Sequence, residues 1–158
     1  MRYPREVEGF TIRQAGGKYG TIKGDKGYGI FAKRDHRKGE VLGEVIGRKV
    51  HGSDSFLTHR GIQVGKDRFI EPRRFSLFFY LNHSCKPNAY VDSGQLIARR
   101  DIRRGEEIVA DYSLFTDFSS WDMVCGCRTR SCRKLILPFS KLRKRSKRFV
   151  SSYLSNNS

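Results

Sequence analysis

Along the chain, apolar residues come in short runs, several alternating with polar positions, and glycine-containing turns separate each run from the next. That pattern predicts strands at 10–14, 28–32, 40–46, 68–71, 89–92, 95–98 and 107–110, most of them too short to be helices. The fold class it points to is mostly β. Between the last two runs before residue 100 stand Ser93 and Gly94, the place of a tight two-residue hairpin in which glycine supplies the positive φ. At 74–80 the apolar residues are continuous, which fits one or two helical turns or a buried strand.

Residues 32–40 echo residues 98–106. Ala32, Arg34, Asp35, Arg37, Gly39 and Glu40 recur as Ala98, Arg100, Asp101, Arg103, Gly105 and Glu106. Two copies fall short of a stacked repeat array, so each is expected to be a turn that feeds a strand. From Phe139 onward the character changes to a basic run followed by Val150, Tyr153 and Leu154. Phe139, Leu142, Phe149, Val150, Tyr153 and Leu154 could share one side of a helix with imperfect spacing, which predicts a tail that docks.

A length of 158 residues suits one domain with a single modest core. The longest apolar stretches, 75–81 and 135–139, fall far below the ~20 residues of a membrane-spanning helix. The charged first residues lack the apolar segment of a secretory signal, so an intracellular, reducing home is expected, where cysteines hold metals more readily than disulfides. The formal charge of +16 favours an anionic surface or polymer among the partners. It is unevenly spread, for no acid follows Asp122 while ten Lys and Arg residues do. The run at 141–148 reads either as a nuclear import signal or as a solvated face.

Three of the four cysteines, Cys125, Cys127 and Cys132, lie within eight residues, and Cys85 is the fourth. Thiolates suit zinc, a closed structural site takes four ligands, and the count matches; the plainer alternative is a set of unrelated reduced thiols. Arg128, Arg130, Arg133 and Lys134 beside the cluster are expected to lower the thiol pKa values. Around Cys85, residues 81–88 pack Asn82, His83 and Ser84 into a turn-like stretch that reads as a polar binding edge or as local capping. Residues 105–112 form a strand ending in Tyr112, a position that ordinarily means half-buried packing. Lys26-Gly27-Tyr28-Gly29 would allow close backbone approach to a ligand, without dinucleotide or Walker spacing.

Together and in this order, Gly27-Tyr28-Gly29, residues 82–88, residues 105–112 and residues 125–133 resemble the motifs of SET-domain protein lysine methyltransferases with a post-SET zinc segment. The resemblance spans roughly Phe10 to Leu135. It implies short β-sheets around a pseudoknot where the two signatures thread together, followed by the zinc segment and a basic, helix-patterned tail. The division implied is an N-terminal extension at 1–9, a SET domain at 10–115, a post-SET zinc segment at 116–137 and the tail at 138–158.

What the resemblance implies for function is transfer of methyl groups from S-adenosyl-L-methionine (AdoMet) to the ε-amine of a lysine in a histone or other nucleic-acid-associated protein. Lys26, Gly27, Tyr28, Gly29, Asn82, His83 and Tyr112 would hold AdoMet, with Tyr112 catalytic at the methyl-transfer point and Ala110 lining the substrate channel. Cys85, Cys125, Cys127 and Cys132 would bind a structural Zn2+. Ala110 stands where the family usually has an aromatic that limits methylation, and residues 61–64 lack the tyrosine often found in the strand before the central signature. A small residue there leaves room for a more methylated amine. The partners expected are a lysine-bearing protein and nucleic acid or chromatin through the basic surface, with no membrane and a monomeric chain. The protein would be cytoplasmic in a prokaryote, nuclear or chromatin-associated in a eukaryote. The rival reading is a catalytically weak SET-type zinc module that binds nucleic acid or chromatin.

Overall fold

The computed structural model describes residues 5–15, 27–58, 60–115, 117 and 121–155, the side chains of 149, 150 and 152–155 excepted. The first half carries β1 (Glu6–Val7), β2 (Phe10–Gln14), β3 (Tyr28–Ala32), β4 (Val41–Glu44), β5 (Gly47–His51), β6 (Ile62–Gly65) and β7 (Arg68–Pro72). The second carries β8 (Asn82–His83), β9 (Ala89–Asp92), β10 (Gln95–Ala98), β11 (Val109–Ala110), β12 (Met123–Val124), β13 (Leu135–Ile136) and the helix α1 (Lys144–Ser155). They group into five small sheets: β1-β2-β3, β4-β10-β9, β5-β7-β6, β11-β8 and β12-β13. No helix among the described residues is long and apolar enough to cross a membrane.

Strand alternation places the core. In β10, Leu96 and Ala98 are buried between half-exposed Gln95 and Ile97, and in β2 Phe10 and Ile12 point inward. Ile30, Leu77, Leu96, Ile102 and Ile108 meet in one cluster with almost no exposed surface. The hairpin between β9 and β10 turns at Ser93 (φ 48°) and Gly94 (φ 84°), two consecutive left-handed residues, as the dipeptide requires. The continuous apolar stretch at 74–80 forms a single 3₁₀ turn, Leu77–Phe79, with Leu77 and Phe78 buried. Two strands are shorter than their sequence pattern suggests. β4 ends at Glu44 because the chain turns at Val45 and Ile46 into β5, and Glu107 meets Phe31 only as an isolated bridge before β11 begins.

The echoed segments prove to be one motif used twice, face to face. The main chains of His36 and Ile102 exchange both hydrogen bonds, at 2.8 and 2.9 Å. Asp101 Oδ1 accepts from the Lys38 amide at 2.9 Å, and Asp35 Oδ1 accepts from the Arg104 amide at 2.7 Å. Within each copy an arginine meets the closing glutamate: Arg34 with Glu40 at 2.5 Å, Arg100 with Glu106 at 2.8 Å. The copies differ at their centre, where buried His36 takes the place of Ile102, stacks on Phe10 and turns Nδ1 to Glu40 at 2.8 Å.

After β13 the chain is seated by Leu142, buried among Leu114, Leu137 and Phe139, and by the Ser140 amide, which donates to Asp117 Oδ1 at 2.9 Å. The tail therefore starts docked, and α1 follows at once. The packing expected of Phe149, Val150, Tyr153 and Leu154 lies outside the described side chains.

Candidate functional site

The parallel pairing of β8 with β11 brings the two polar segments together, Val109 beside Asn82 and Ala110 beside His83. Two residues of parallel pairing are weak alone, so the surrounding bonds matter. Asn88 Nδ2 donates to the Glu107 carbonyl at 2.7 Å, the Val109 amide donates to Asn88 Oδ1 at 2.9 Å, and the Ser84 amide donates to the Ala110 carbonyl at 2.9 Å. Segments 82–88 and 105–112 are thereby laced through each other.

His83 is fully buried at the crossing. Its Nδ1 accepts the Tyr112 amide at 3.1 Å, which leaves the ring proton on Nε2, 3.2 Å from Cys85 Sγ. The ring thus joins the tyrosine turn to the cysteine cluster, and any contact it offers a ligand must come from its main chain. Tyr112 is half-buried, packed edge-on against His83 and tilted against Phe115. Its hydroxyl donates to the Leu81 carbonyl at 2.5 Å. Burial pushes the phenol above its ordinary range, opposed by Arg60 and reinforced by Glu107, so the hydroxyl keeps its proton. Such a group can orient a reactant but is a poor base.

Ala110 is fully buried in the main core beside this turn. Within residues 61–64, which lack the tyrosine often found in the family, β6 carries Gln63, whose backbone amide donates to the Phe115 carbonyl at 2.6 Å and whose side-chain Oε1 accepts from the Asp117 amide at 2.8 Å. Those bonds pin β6 to the segment following Tyr112.

On the other side lie the four thiols, whose sulfurs all fall within 4.8 Å of one another. A tetrahedral zinc with Zn–S of ~2.3 Å separates its sulfurs by about 3.8 Å, and Cys85 and Cys125 stand at 3.6 Å. The donor set fits zinc. A hydrogen bond shared with Cys125, aided by His83 and the Arg133 amide, pulls the Cys85 thiol well below its ordinary range against the effect of burial, while the same sharing pushes Cys125 up. Arg128 (φ 52°) and Lys134 (φ 65°) take left-handed conformations as the chain winds around the cluster. Arg133 lowers the Cys85 thiol as expected, but through its amide, 3.4 Å from Sγ, while its guanidinium reaches Asp111 in a bidentate pair at 2.7 and 2.6 Å.

The residues expected to hold AdoMet separate into three groups. Lys26 lies outside the described residues. The Gly27 and Tyr28 carbonyls accept from the Ala15 amide at 2.8 Å and Asn82 Nδ2 at 3.2 Å. Gly29 allows the close approach: a Cβ there would lie 2.3 Å from Glu107 Oε1 and 2.9 Å from Asn82 Nδ2. Asn82 spends its two donor hydrogens on Tyr28 and, at 2.8 Å, on Glu107, leaving its carbonyl oxygen as the acceptor it can offer. Trp121 packs against the same cysteine cluster as Tyr112, with a buried indole N–H that has no partner among the described residues. An acceptor at Asn82 and an orphaned donor at Trp121 fit a ligand that is polar on both counts, as AdoMet is. Trp121, Glu107 and Asp111 were not singled out from sequence; the signals were that Trp121 is the one tryptophan and that Asp111 adjoins Tyr112.

The SET domain family model matches residues 27–113, more than half of the chain, and the chain belongs to the SET-domain family. Its relatives sharpen that class. It is 33% identical over 130 residues to the variant-silencing SET domain-containing protein of Plasmodium falciparum, covering 67% of this chain and 5% of that protein. It is 32% identical over 147 residues to the probable histone-lysine N-methyltransferase set-23 of Caenorhabditis elegans, covering 77% of this chain and 60% of the relative. With the H3 lysine-36 specific histone-lysine N-methyltransferase of Candida albicans it shares 30% identity over 131 residues, 70% of this chain and 15% of that protein. The chain thus spans less than two thirds of each of these relatives.

Proposed function

We propose that this protein transfers methyl groups from AdoMet to lysine side chains of a histone or similar chromatin protein, with Tyr112 at the point of transfer. The observation that carries the reading is the tyrosine turn: the Tyr112 amide held by His83, its hydroxyl held by the Leu81 carbonyl, and its ring wedged against Phe115. AdoMet, when bound, supplies an electrophilic methyl on a cationic sulfur. A lysine amine, with a free pKa of about 10.4, must shed its proton before it can attack in line. Burial beside a cation favours the neutral amine, so no strong base is needed, and Tyr112 serves by position.

Gly27, Tyr28, Gly29 and the Asn82 carbonyl form the proposed AdoMet side, together with Lys26 and the His83 main chain. Trp121 adds a donor there. Cys85, Cys125, Cys127 and Cys132 are proposed to hold a structural zinc that fastens the segment from Trp121 onward over the tyrosine turn. Ala110 is the proposed channel position whose small size permits two or three methyls. Histones being the acceptors named for two of these relatives, a chromatin setting follows, nuclear in a eukaryote.

The test is incubation of the full chain with methyl-labelled AdoMet and histone octamers, followed by mass spectrometry of modified lysines. Wild type should label lysine, and Tyr112→Phe should lose about a hundredfold or more in turnover, as expected when a positioning contact goes, with AdoMet affinity little changed. No lysine label from wild type, or near-normal turnover in the variant, would overturn the assignment.

A further inference from the structure

Ten of the 32 Lys and Arg residues follow Asp122, and none of the 16 acids does. Six of the ten, Lys141, Arg143, Lys144, Arg145, Lys147 and Arg148, crowd into eight residues at the lead-in and first turns of α1. Arg143, Lys144, Arg145 and Arg148 are exposed, and Lys147 is half-buried with its ammonium 5.8 Å over the Phe139 ring. Buried Leu142 anchors the run against Leu114, in the same short turn, Tyr112–Leu114, that begins with Tyr112.

Folding this segment works against its own electrostatics. Lys144 with Arg148, Lys144 with Lys147, and Arg145 with Arg148 are like-charge pairs at the spacings where helix side chains meet. The cations also gather at the end of α1 whose unpaired amides are already positive, and its first turn holds no acid. Asp117, the acid tied to this region, accepts the Ser140 amide at 2.9 Å. An ordinary solvated face mixes signs; this one is ordered, anchored and of a single sign.

We propose that residues 141–148 form a docking face for the phosphate backbone of double-stranded DNA. Residues 144–148 rise about 6 Å along the helix, and one strand of a duplex presents a phosphate every ~3.4 Å of axis, so the run faces two or three phosphates. Duplex DNA is the occupant because a chain of net charge +16 repels a basic histone tail unless a polyanion lies between them. That choice rests on the proposed chromatin substrate, whereas binding itself does not require methyl transfer.

Fluorescence anisotropy of the full zinc-loaded chain with a mixed-sequence duplex of about 20 base pairs, over a range of salt, tests the face. The variant Arg143→Gln/Lys144→Gln/Arg145→Gln/Arg148→Gln should bind about tenfold or more weakly and lose about 2–3 units of log–log salt slope. A charge-matched control in exposed residues elsewhere, Arg37→Gln/Lys66→Gln/Arg103→Gln/Arg104→Gln, should lose less than about threefold. Circular dichroism and zinc content check folding, and the single change Lys144→Glu gives the same readout if the quadruple variant unfolds. Equal losses in variant and control, or no loss in the α1 variant, overturn the proposal. Tighter binding to single-stranded RNA or to phosphatidylserine vesicles than to the duplex overturns DNA as the occupant. Methylation of a histone peptide should be unchanged in the α1 variant. DNA binding as described with no methylation of any peptide would remove the methyl-transfer reading and leave this face standing.

Discussion

Replacing Arg133 by glutamine tests how the cysteine segment is held on the tyrosine turn. The guanidinium grips both oxygens of Asp111, at 2.7 and 2.6 Å, and reaches Ser113 Oγ at 3.0 Å. The Asp111 side chain has no exposed surface, and that of Arg133 is 11% exposed. In Arg133→Gln the carboxylate keeps the Ser113 amide at 3.1 Å. His83 cannot replace the arginine, because its Nδ1, 3.6 Å from Asp111, already accepts the Tyr112 amide. Leaving a buried charge without its partner costs about 3–5 kcal/mol. For a chain of this length that lowers Tm by roughly 10 °C. Asp111→Asn made in the Arg133→Gln background removes the stranded charge and should recover about half of the loss, about 2 kcal/mol. Urea unfolding at saturating zinc, with metal content measured in parallel, provides the assay. Turnover in Arg133→Gln should also fall, by about tenfold or more, since Asp111 directly precedes Tyr112 and small displacements at the proposed transfer point are costly. An Arg133→Gln protein within about 1 kcal/mol of wild type, or a double variant no more stable than the single, would refute the reasoning.

Other expectations follow from the same geometry. Freshly purified wild type should contain about one zinc per chain, and Cys85→Ser should lose it; elemental analysis finding no zinc in an active wild type contradicts the site. Ala110→Tyr should suppress the later, bulkier methyl transfers more than the first, since overpacking a tight site costs about 1–3 kcal/mol; intact-mass time courses on one peptide decide, and an unchanged product distribution counts against it. Arg34 first, and then His36, hold the Glu40 carboxyl near 2, below its usual 4.5. Because the folded value is the lower one, this carboxylate stabilises the protein above pH 4.5, and the contribution is lost as pH falls through about 2. Glu40→Gln should flatten that acid limb by on the order of 1 kcal/mol, the scale of a surface pair, and identical acid limbs would dismiss the assignment.

Strands with strong local signals were legible in the chain. Runs 10–14, 28–32, 89–92 and 95–98 coincide with β2, β3, β9 and β10; in β10 and at the start of β2 alternate side chains are buried, and β9 and β10 are joined by the Ser93-Gly94 hairpin. β5 left no such trace: Gly47–His51 buries only Val50, and its pairing with β7 sets its conformation. β8, β12 and β13 are two residues each, too short for any periodicity to appear.

The sequence by itself determined the inventory of this protein: the mostly β character, the four thiols that complete one ligand set, the motif residues ending at Tyr112, and a C-terminal segment of one charge. Those are properties of residue type and local spacing, which a linear pattern carries. Only the tertiary structure decided the pairings. The two echoed turns lock to each other through Asp35 and Asp101, His83 spends its ring on Cys85 and Tyr112, and Arg133 turns from the thiols to Asp111. Each of these bonds joins positions far apart in sequence or chooses one partner among several of suitable chemistry. That choice depends on which side chains the packed sheets bury together, where an unpaired polar group is most costly.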